Sequence, residues 1–489
     1  MRGSFGLTRR SLLAVGVSFA ALSFAQAAER APERAGRLRP IDRRRRILIR
    51  NATIIRMDGN VEDLARGDIL IEGSKIIEIG RFIPAAGARV IDASGMIAFP
   101  GFVDCHRHSW EGQLRRINPN AETLAEYSNA THLSFATAYR PQDIYAGNYL
   151  TAIGCIDSGI TCVIDNSHNS RSAAHSDAAV EALLDSGIRG VHASGAPQVQ
   201  DKNYDRQWPG DLERLQRKYF SGGESLVTLR MFSPPNRENW ALARRLGLRI
   251  TTEFQGQAAA EALDALWVDH LVGPDNTFNH CGALPQRTWD IFRQSGASVN
   301  VCPRSDAQYG LGEGIAPYQQ ALDYGLKPAF SIDNETSYST DMFTEMRVVM
   351  MMQRALVQNR RFRGETNLPP AVMARDVLAS ATLNGAICAG LGDKTGRLAP
   401  GFEADIVLIR SGDLNLYPSN NAIGTVVQAA DRSNIDTVII GGRVRKFGGR
   451  MAGLDTRKLR RVVEESRGYL FRSIGYKEDL FAEKLPKLY

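Results

Sequence analysis

The stretch Met96-Ile97-Ala98-Phe99-Pro100-Gly101-Phe102-Val103-Asp104-Cys105-His106-Arg107-His108 carries a Pro-Gly turn into a short apolar run that ends on two histidines. The turn and the β-branched and aromatic residues around it read as the entry to a buried strand. Side chains at i and i+2 of a strand share a face, so His106 and His108 can converge on one cation. Three more apolar runs end in the same way, at Thr251-Thr252-Glu253, Asn279-His280-Cys281 and Ile332-Asp333-Asn334-Glu335. In chain order they offer a carboxylate, a histidine and a carboxylate, separated by spans long enough for helical crossovers. Imidazole and carboxylate are the donors of a catalytic zinc, which keeps one position open for water. The competing reading makes His280 a packed strand histidine and Asp333 a helix cap.

Between residues 96 and 396, strand-like runs alternate with helical ones: 159–165, 173–186, 187–192, 241–246, 248–252, 286–295, 297–302, 317–324 and 327–332. That alternation predicts βα units around a parallel sheet. An open doubly wound sheet would carry a Gly-x-Gly-x-x-Gly after its first strand, and none is present. A (β/α)8 TIM barrel takes its functional groups from the ends of several strands, which fits the four motifs. The flanks have another texture. Residues 47–95, with a Glu72-Gly73-Ser74-Lys75 turn between two apolar runs, and residues 397–450, with Gly441-Gly442 between two more, read as two parts of one small composite β-sandwich. Residues 451–489 read as a C-terminal helical extension.

The beginning of the chain reads as a targeting segment. Thr8-Arg9-Arg10-Ser11 precedes an apolar segment over 12–25, and Ala25-Gln26-Ala27 offers a small-x-small cleavage pattern. It resembles a twin-arginine export signal over 1–27, which implies a periplasmic or secreted protein. The apolar segment is too short to span a bilayer, so no stable membrane insertion is expected after processing. Residues 28–46, rich in Arg, Pro and Glu, read as a flexible leader.

A hydrophobic content of 43% with 23% charged residues describes an ordinary globular chain, and 489 residues allow one large barrel with additions. The net charge of +7 owes three positive charges to Arg2, Arg9 and Arg10 and more to the Arg43–Arg46 run. No aromatic residue interleaves that run, so nucleic-acid binding is not indicated. The six cysteines, Cys105, Cys155, Cys162, Cys281, Cys302 and Cys388, form no Cys-x-x-Cys and read as buried thiols, with a Cys155–Cys162 bridge left open. The expected partner is a small-molecule substrate, and a homo-oligomer is compatible with the sequence.

Pro100–His108, His280-Cys281, Asp333, Ala381-Thr382-Leu383-Asn384-Gly385-Ala386, Gly390-Leu391-Gly392 and the run from Gly396 to Val407 together resemble the amidohydrolase superfamily, closest to its cytosine-deaminase-like and triazine-hydrolase-like branch. The resemblance extends from about residue 47 to about residue 450. It implies a metal-binding (β/α)8 barrel in which His106 and His108 are first-strand ligands, His280 is the sixth-strand histidine and Asp333 the eighth-strand aspartate. The family's fifth-strand histidine is replaced here by Glu253. Deaminase relatives also place a glutamate three residues later, where this chain has Gly256, and both departures argue against simple pyrimidine or purine deamination.

The chemistry implied is hydrolysis at a C–N bond of a cyclic amide or nitrogen heterocycle, with one divalent metal, zinc before iron or manganese. Its ligands would be His106, His108, Glu253 and Asp333. Asp333 and His280 would be catalytic, and His168, His175, Asp306, Glu335 and Trp110 would line the substrate pocket. His132, His192 and His270 read as structural. A metal-free lyase or isomerase using His280 and Asp333 as an acid/base pair, or a binding protein with a degenerate metal site, are the alternatives.

Overall fold

The computed structural model describes residues 45–59, 61–85, 87–198, 208–223 and 225–485. The export signal expected over 1–27, with residues 28–44 of the leader, lies outside the described residues. No helix among the described residues is long and apolar enough to cross a membrane.

Two sheets organise the chain. One is a nine-stranded mixed sheet built from both flanks: Arg46–Ile54, Leu64–Glu72, Lys75–Gly80, Arg89–Asp92 and Met96–Pro100 from the first, and Ile406–Arg410, Ile435–Ile440, Arg443–Phe447 and Arg450–Met451 from the second. The flanks meet where Ile406–Arg410 runs antiparallel to Met96–Pro100, with Val407 opposite Phe99 and Ile409 opposite Ile97. The pleat then sorts the side chains. Ala98, Ile406 and Leu408 join one apolar cluster with Ile49, Ile69 and Ile71, while Ile97, Phe99, Val407 and Ile409 enter the main core. Both faces are buried, and this is why Ile406-Val407-Leu408-Ile409 is apolar throughout rather than alternating.

The second is an eight-stranded parallel sheet whose spatial order follows chain order. Its strands are β1 (Phe102–Arg107), β2 (Ile160–Ser167), β3 (Arg189–Gly195), β4 (Val227–Phe232), β5 (Ile250–Phe254), β6 (Asn276–His280), β7 (Ser298–Val301) and β8 (Ala329–Phe330). Gly101 alone joins Met96–Pro100 in the first sheet to β1 in the second. A Cβ there would lie 2.1 Å from the Thr161 side chain, so the Pro-Gly pair is a close-packed joint between two strands rather than a chain reversal.

The ring closes at the residues that matter for function. Arg107 forms a parallel bridge to Asp333; the Asp333 N–H donates to the His106 carbonyl at 3.0 Å, and the His108 N–H donates to the Asp333 carbonyl at 2.9 Å. Asp104 Oδ1 accepts the Ile332 N–H at 3.1 Å beneath them. The sheet with its crossover helices is the (β/α)8-type barrel expected, with the composite sheet beside it.

Some elements departed from the pattern read in the sequence. β4 carries Arg230 in its middle, which interrupts the apolar signal; the guanidinium is fully buried and donates to Thr277 Oγ1 and to the Cys388 carbonyl, each at 3.0 Å. β8 is confined to two residues, shorter than the 327–332 run, because the chain turns at Asp333. All six cysteines are buried and free, so the Cys155–Cys162 bridge is not formed.

Candidate metal centre

Five side chains converge at the C-terminal ends of β1, β5, β6 and β8. His106 lies in β1 and His108 directly after it, Glu253 lies in β5, His280 ends β6, and Asp333 follows β8. His280 (φ +68°), Cys281 (φ +63°) and Asp333 (φ +77°) occupy the left-handed region that non-glycine residues avoid. Such conformations cost on the order of 1–3 kcal/mol each and persist only where surrounding contacts over-determine them. For Asp333 those contacts are the two backbone hydrogen bonds to β1.

His106 Nε2 is 3.0 Å from Asp333 Oδ1 and 3.2 Å from Glu253 Oε1. His108 Nε2 is 3.1 Å from the same Asp333 oxygen and 3.7 Å from the same Glu253 oxygen. Zinc bonds of about 2.0–2.2 Å in tetrahedral directions set their donor atoms roughly 3.3–3.6 Å apart, so this spacing suits one shared cation. His106 Nε2 and Asp333 Oδ1 are both buried, and neither makes a hydrogen bond. Two polar atoms facing each other without a hydrogen bond are costly to bury, and a cation between them removes that cost. The two imidazoles and the Glu253 carboxylate fit a divalent metal in donor type and spacing, and Asp333 Oδ1 stands within 3.1 Å of both rings.

Neighbours fix the orientation of each ring. His280 Nδ1 donates to Asp306 Oδ1 at 2.7 Å, leaving Nε2 to face Glu253 Oε2 at 3.0 Å. His108 Nδ1 lies 2.7 Å from His168 Nε2, the Asn166 side-chain amide meets His106 Nδ1, and Ser305 Oγ donates to Asp333 Oδ2. Partners of this kind set the tautomer and basicity of a ligating histidine.

The electrostatics are those of interlocked opposite charges. Burial works against ionising Asp333, but the His106 and His108 imidazoles outweigh it and hold the carboxyl well below its usual range. Glu253 follows the same pattern: burial opposes, and His106 and His280 bring it down to about 2. Burial also opposes the charge on His108, yet Asp333 and Glu253 raise it to about 9. Against the same burial cost, Cys302 and Asp306 hold His280 well above the ordinary histidine value.

The residues expected to line a pocket divide. His168, Trp110 and Asp306 stand against the donor set: Trp110 Nε1 donates to His168 Nε2 at 3.3 Å, and Asp306 holds His280. Glu335 and His175 are not brought there. The Glu335 carboxylate is locked between Arg107 Nη2 at 2.5 Å and Arg115 Nε at 2.6 Å. Both ring nitrogens of His175 are used outside the site, Nδ1 with Ser172 Oγ at 2.7 Å and Nε2 with the Tyr139 carbonyl at 3.1 Å.

Sequence reasoning passed over Asn166, Ser305 and Cys302. The Cys302 sulfur lies within 4.8 Å of donor atoms of both His106 and His280. The available signal was Cys302-Pro303-Arg304-Ser305-Asp306, another polar cluster directly after a strand, β7. His132, read as structural, packs its ring edge-on to His168 with centroids 4.7 Å apart.

Comparison with known proteins agrees with this geometry. The model of the amidohydrolase family matches residues 248–445. A 5-methylthioadenosine/S-adenosylhomocysteine deaminase of Desulforamulus reducens is 28% identical over 427 residues, covering 82% of this chain and 93% of the relative. A 5'-deoxyadenosine deaminase of Methanosarcina mazei is 26% identical over 442 residues, covering 86% and 96%. Among solved structures, a zinc-bound adenosine deaminase of Xanthomonas campestris superposes with a TM-score of 0.76 at 20% identity, over 88% of this chain and 99% of that one. An atrazine chlorohydrolase of Arthrobacter aurescens complexed with zinc gives 0.73 at 23% identity, over 87% and 100%. The chain is thus similar to the amidohydrolase family over residues 248–445 and to these deaminases over more than four fifths of its length, and it shares its fold with the zinc-bound enzymes.

Proposed function

We propose that the protein is a zinc-type metallohydrolase that cleaves a C–N bond of a cyclic amide or nitrogen heterocycle. The observation that carries this is the convergence of His106 Nε2, His108 Nε2, Glu253 and Asp333 on one point at the mouth of a barrel. A divalent cation held there supplies a water acidified toward neutral pH and a Lewis acid beside the electrophilic carbon.

The side chains do the rest. Asp333, kept ionised, takes a proton from the attacking water and returns it to the leaving nitrogen as the C–N bond breaks. His280, whose Nδ1 is held by Asp306 Oδ1, turns its Nε2 to the reacting side, where the protonated ring can donate to developing negative charge. Glu253 brings an anion where the family pattern has a neutral imidazole, which lowers the net charge of the donor set by one unit and weakens the cation as a Lewis acid. Gly256, in the left-handed region at φ +74°, provides no carboxylate for a second proton transfer. These two positions favour a substrate whose leaving nitrogen needs one proton shuttle, in contrast to the adenosine-type deaminations named for the relatives.

Metal-loaded protein should be incubated with cyclic amides, cyclic imides and amino-substituted heterocycles, following ammonia release and ring opening separately. Turnover on at least one class supports the proposal, and none across the panel with one metal per chain overturns it. The Thr8-Arg9-Arg10-Ser11 motif before the apolar segment over 12–25 supports export by a twin-arginine route to the periplasm or beyond. Replacing Arg9 and Arg10 with lysine should then trap the precursor in the cytoplasm, and unchanged fractionation would reject that route.

A further inference from the structure

The described chain closes with a helix, Thr456–Ser473, and a tail that folds back far enough for Glu478 to reach Arg467. Chain ends are poorly ordered unless something ties them down, and this tail is tied at two places. Near the helix, the Tyr476 ring packs on Phe471 with centroids 4.7 Å apart and on Phe135 at 5.6 Å. Further on, the Asn120 amide donates to the Glu483 carbonyl at 2.8 Å and Lys484 Nζ meets Glu122 Oε1 at 3.1 Å, which pins the tail to the segment following β1. That segment and the tail enclose a cavity of about 170 Å³. A cavity of about 150 Å³ holds one benzene ring, so the space suits a ligand of single-ring size. Ile117, Phe471 and Leu485 give it apolar surface. Leu480 also lines it and is 80% exposed, so an apolar ligand there would take a large side chain out of water.

Three guanidiniums, Arg115, Arg116 and Arg467, share the lining with two carboxylates, Glu478 and Asp479. Most of these charges are already committed. Arg115 is held by Glu335, which is not part of the lining, with Nε 2.6 Å from the carboxylate. Glu478 pairs with Arg467, and Asp479 Oδ1 accepts the Phe481 N–H at 2.9 Å. Arg116 is different. Its backbone is fixed in the left-handed region at φ +60°, with its N–H donating to the Glu335 carbonyl at 3.1 Å, while its guanidinium makes no ion pair or hydrogen bond among the described residues. The Tyr476 hydroxyl also lacks a hydrogen bond among the described residues. A guanidinium and a hydroxyl beside apolar surface are donors suited to a carboxylate with an apolar body. Three positive groups less two negative ones leave the lining at one positive charge, which a monoanion balances. A dianion would meet Glu478 and Asp479 with charge to spare.

We propose that this cavity binds a small monocarboxylate of single-ring size, with its carboxylate on Arg116 and Tyr476 and its apolar body against Ile117, Phe471, Leu480 and Leu485. The site stands apart from the metal centre and does not depend on the hydrolase reading.

Benzoate is the probe, with benzamide as its uncharged counterpart and acetate as the anion without a ring. Each is titrated into full-length protein, metal-loaded and carrying arginine labelled with nitrogen-15. Benzoate should shift the Arg116 Nε–H resonance with a dissociation constant of about 1 mM or tighter, and about tenfold tighter than benzamide or acetate. Arg116→Gln should weaken benzoate about tenfold, and Ala482→Phe, which adds a ring at the cavity lining, should abolish its binding. Circular dichroism and melting temperature check the fold of both variants; Arg116 is exposed, so Arg116→Gln keeps the test valid should Ala482→Phe displace the tail. The proposal is overturned if benzoate leaves the Arg116 resonance unmoved or binds no better than benzamide. Equal affinity in the parent and Arg116→Gln also overturns it, and places the probe on the metal centre instead.

Discussion

Loading a divalent cation onto metal-free protein should expel about one proton from His108. In the metal-free protein its Nε2 lies 3.1 Å from Asp333 Oδ1 and 3.7 Å from Glu253 Oε1, and those carboxylates raise the imidazole from its ordinary value to about 9. At pH 7 the ring is therefore almost fully protonated, and a cation must displace that proton before it can use Nε2. Two pH units below the raised value correspond to roughly 2.7 kcal/mol, or about a hundredfold loss of apparent metal affinity relative to the deprotonated site. The sign follows directly. Metal affinity should climb about tenfold per pH unit from pH 6 to 8 and flatten above about 9. The metal-free protein behaves in the opposite sense, since the attraction between charged His108 and its carboxylates is complete below about pH 6.5 and is lost as pH rises through about 9. Zinc titration calorimetry in two buffers of different ionisation enthalpy reads the number of protons released. About one at pH 7 is the expected result, and zero release with pH-independent affinity would refute the placement of His108 in the donor set.

Asp333→Asn should keep the fold, because both backbone hydrogen bonds of residue 333 remain, while turnover falls roughly 10²- to 10⁴-fold; near-normal turnover rejects Asp333 as proton shuttle. Glu253→Gln should weaken metal retention and Glu253→His should preserve it, read by competition with a coloured chelator, and identical affinities in parent and Glu253→Gln would mean that the carboxylate does not bind metal. Arg107 is fully buried between Glu335 at 2.5 Å and Asp104 at 3.5 Å, so Arg107→Ala leaves buried carboxylate behind and should cost about 3–5 kcal/mol in denaturant unfolding. A loss under about 1 kcal/mol would contradict that role.

Much of the barrel was legible because its strands obey simple rules. β1, β2 and β7 are apolar runs bounded by turn residues, and the helix Gln286–Ser295 carries clear helical periodicity. β4 was not legible, since Arg230 is tolerated there only through partners on β6 and on the segment around Cys388, far away in the chain. The site followed the same division. His106 and His108 are a local motif, and a strand period of two aligns them. Glu253 and His280 lie in neighbouring strands, with Glu253 paired to Asn279 in register, a relation that exists only once the strands are side by side. Glu335 was expected to shape the pocket from a loop, yet its carboxylate is taken by Arg107 and Arg115 instead. The contacts of His168 with Trp110 and His108 exist only in the folded chain, and no sequence pattern encodes them.

The central claim is that His106, His108, Glu253 and Asp333 hold one cation. Elemental analysis of protein purified without chelator, beside a His106→Ala/His108→Ala variant prepared identically, tests it most directly. The claim predicts about one equivalent of zinc, iron or manganese per chain in the parent and almost none in the variant. A parent free of metal, or a folded variant retaining a full equivalent, would contradict it.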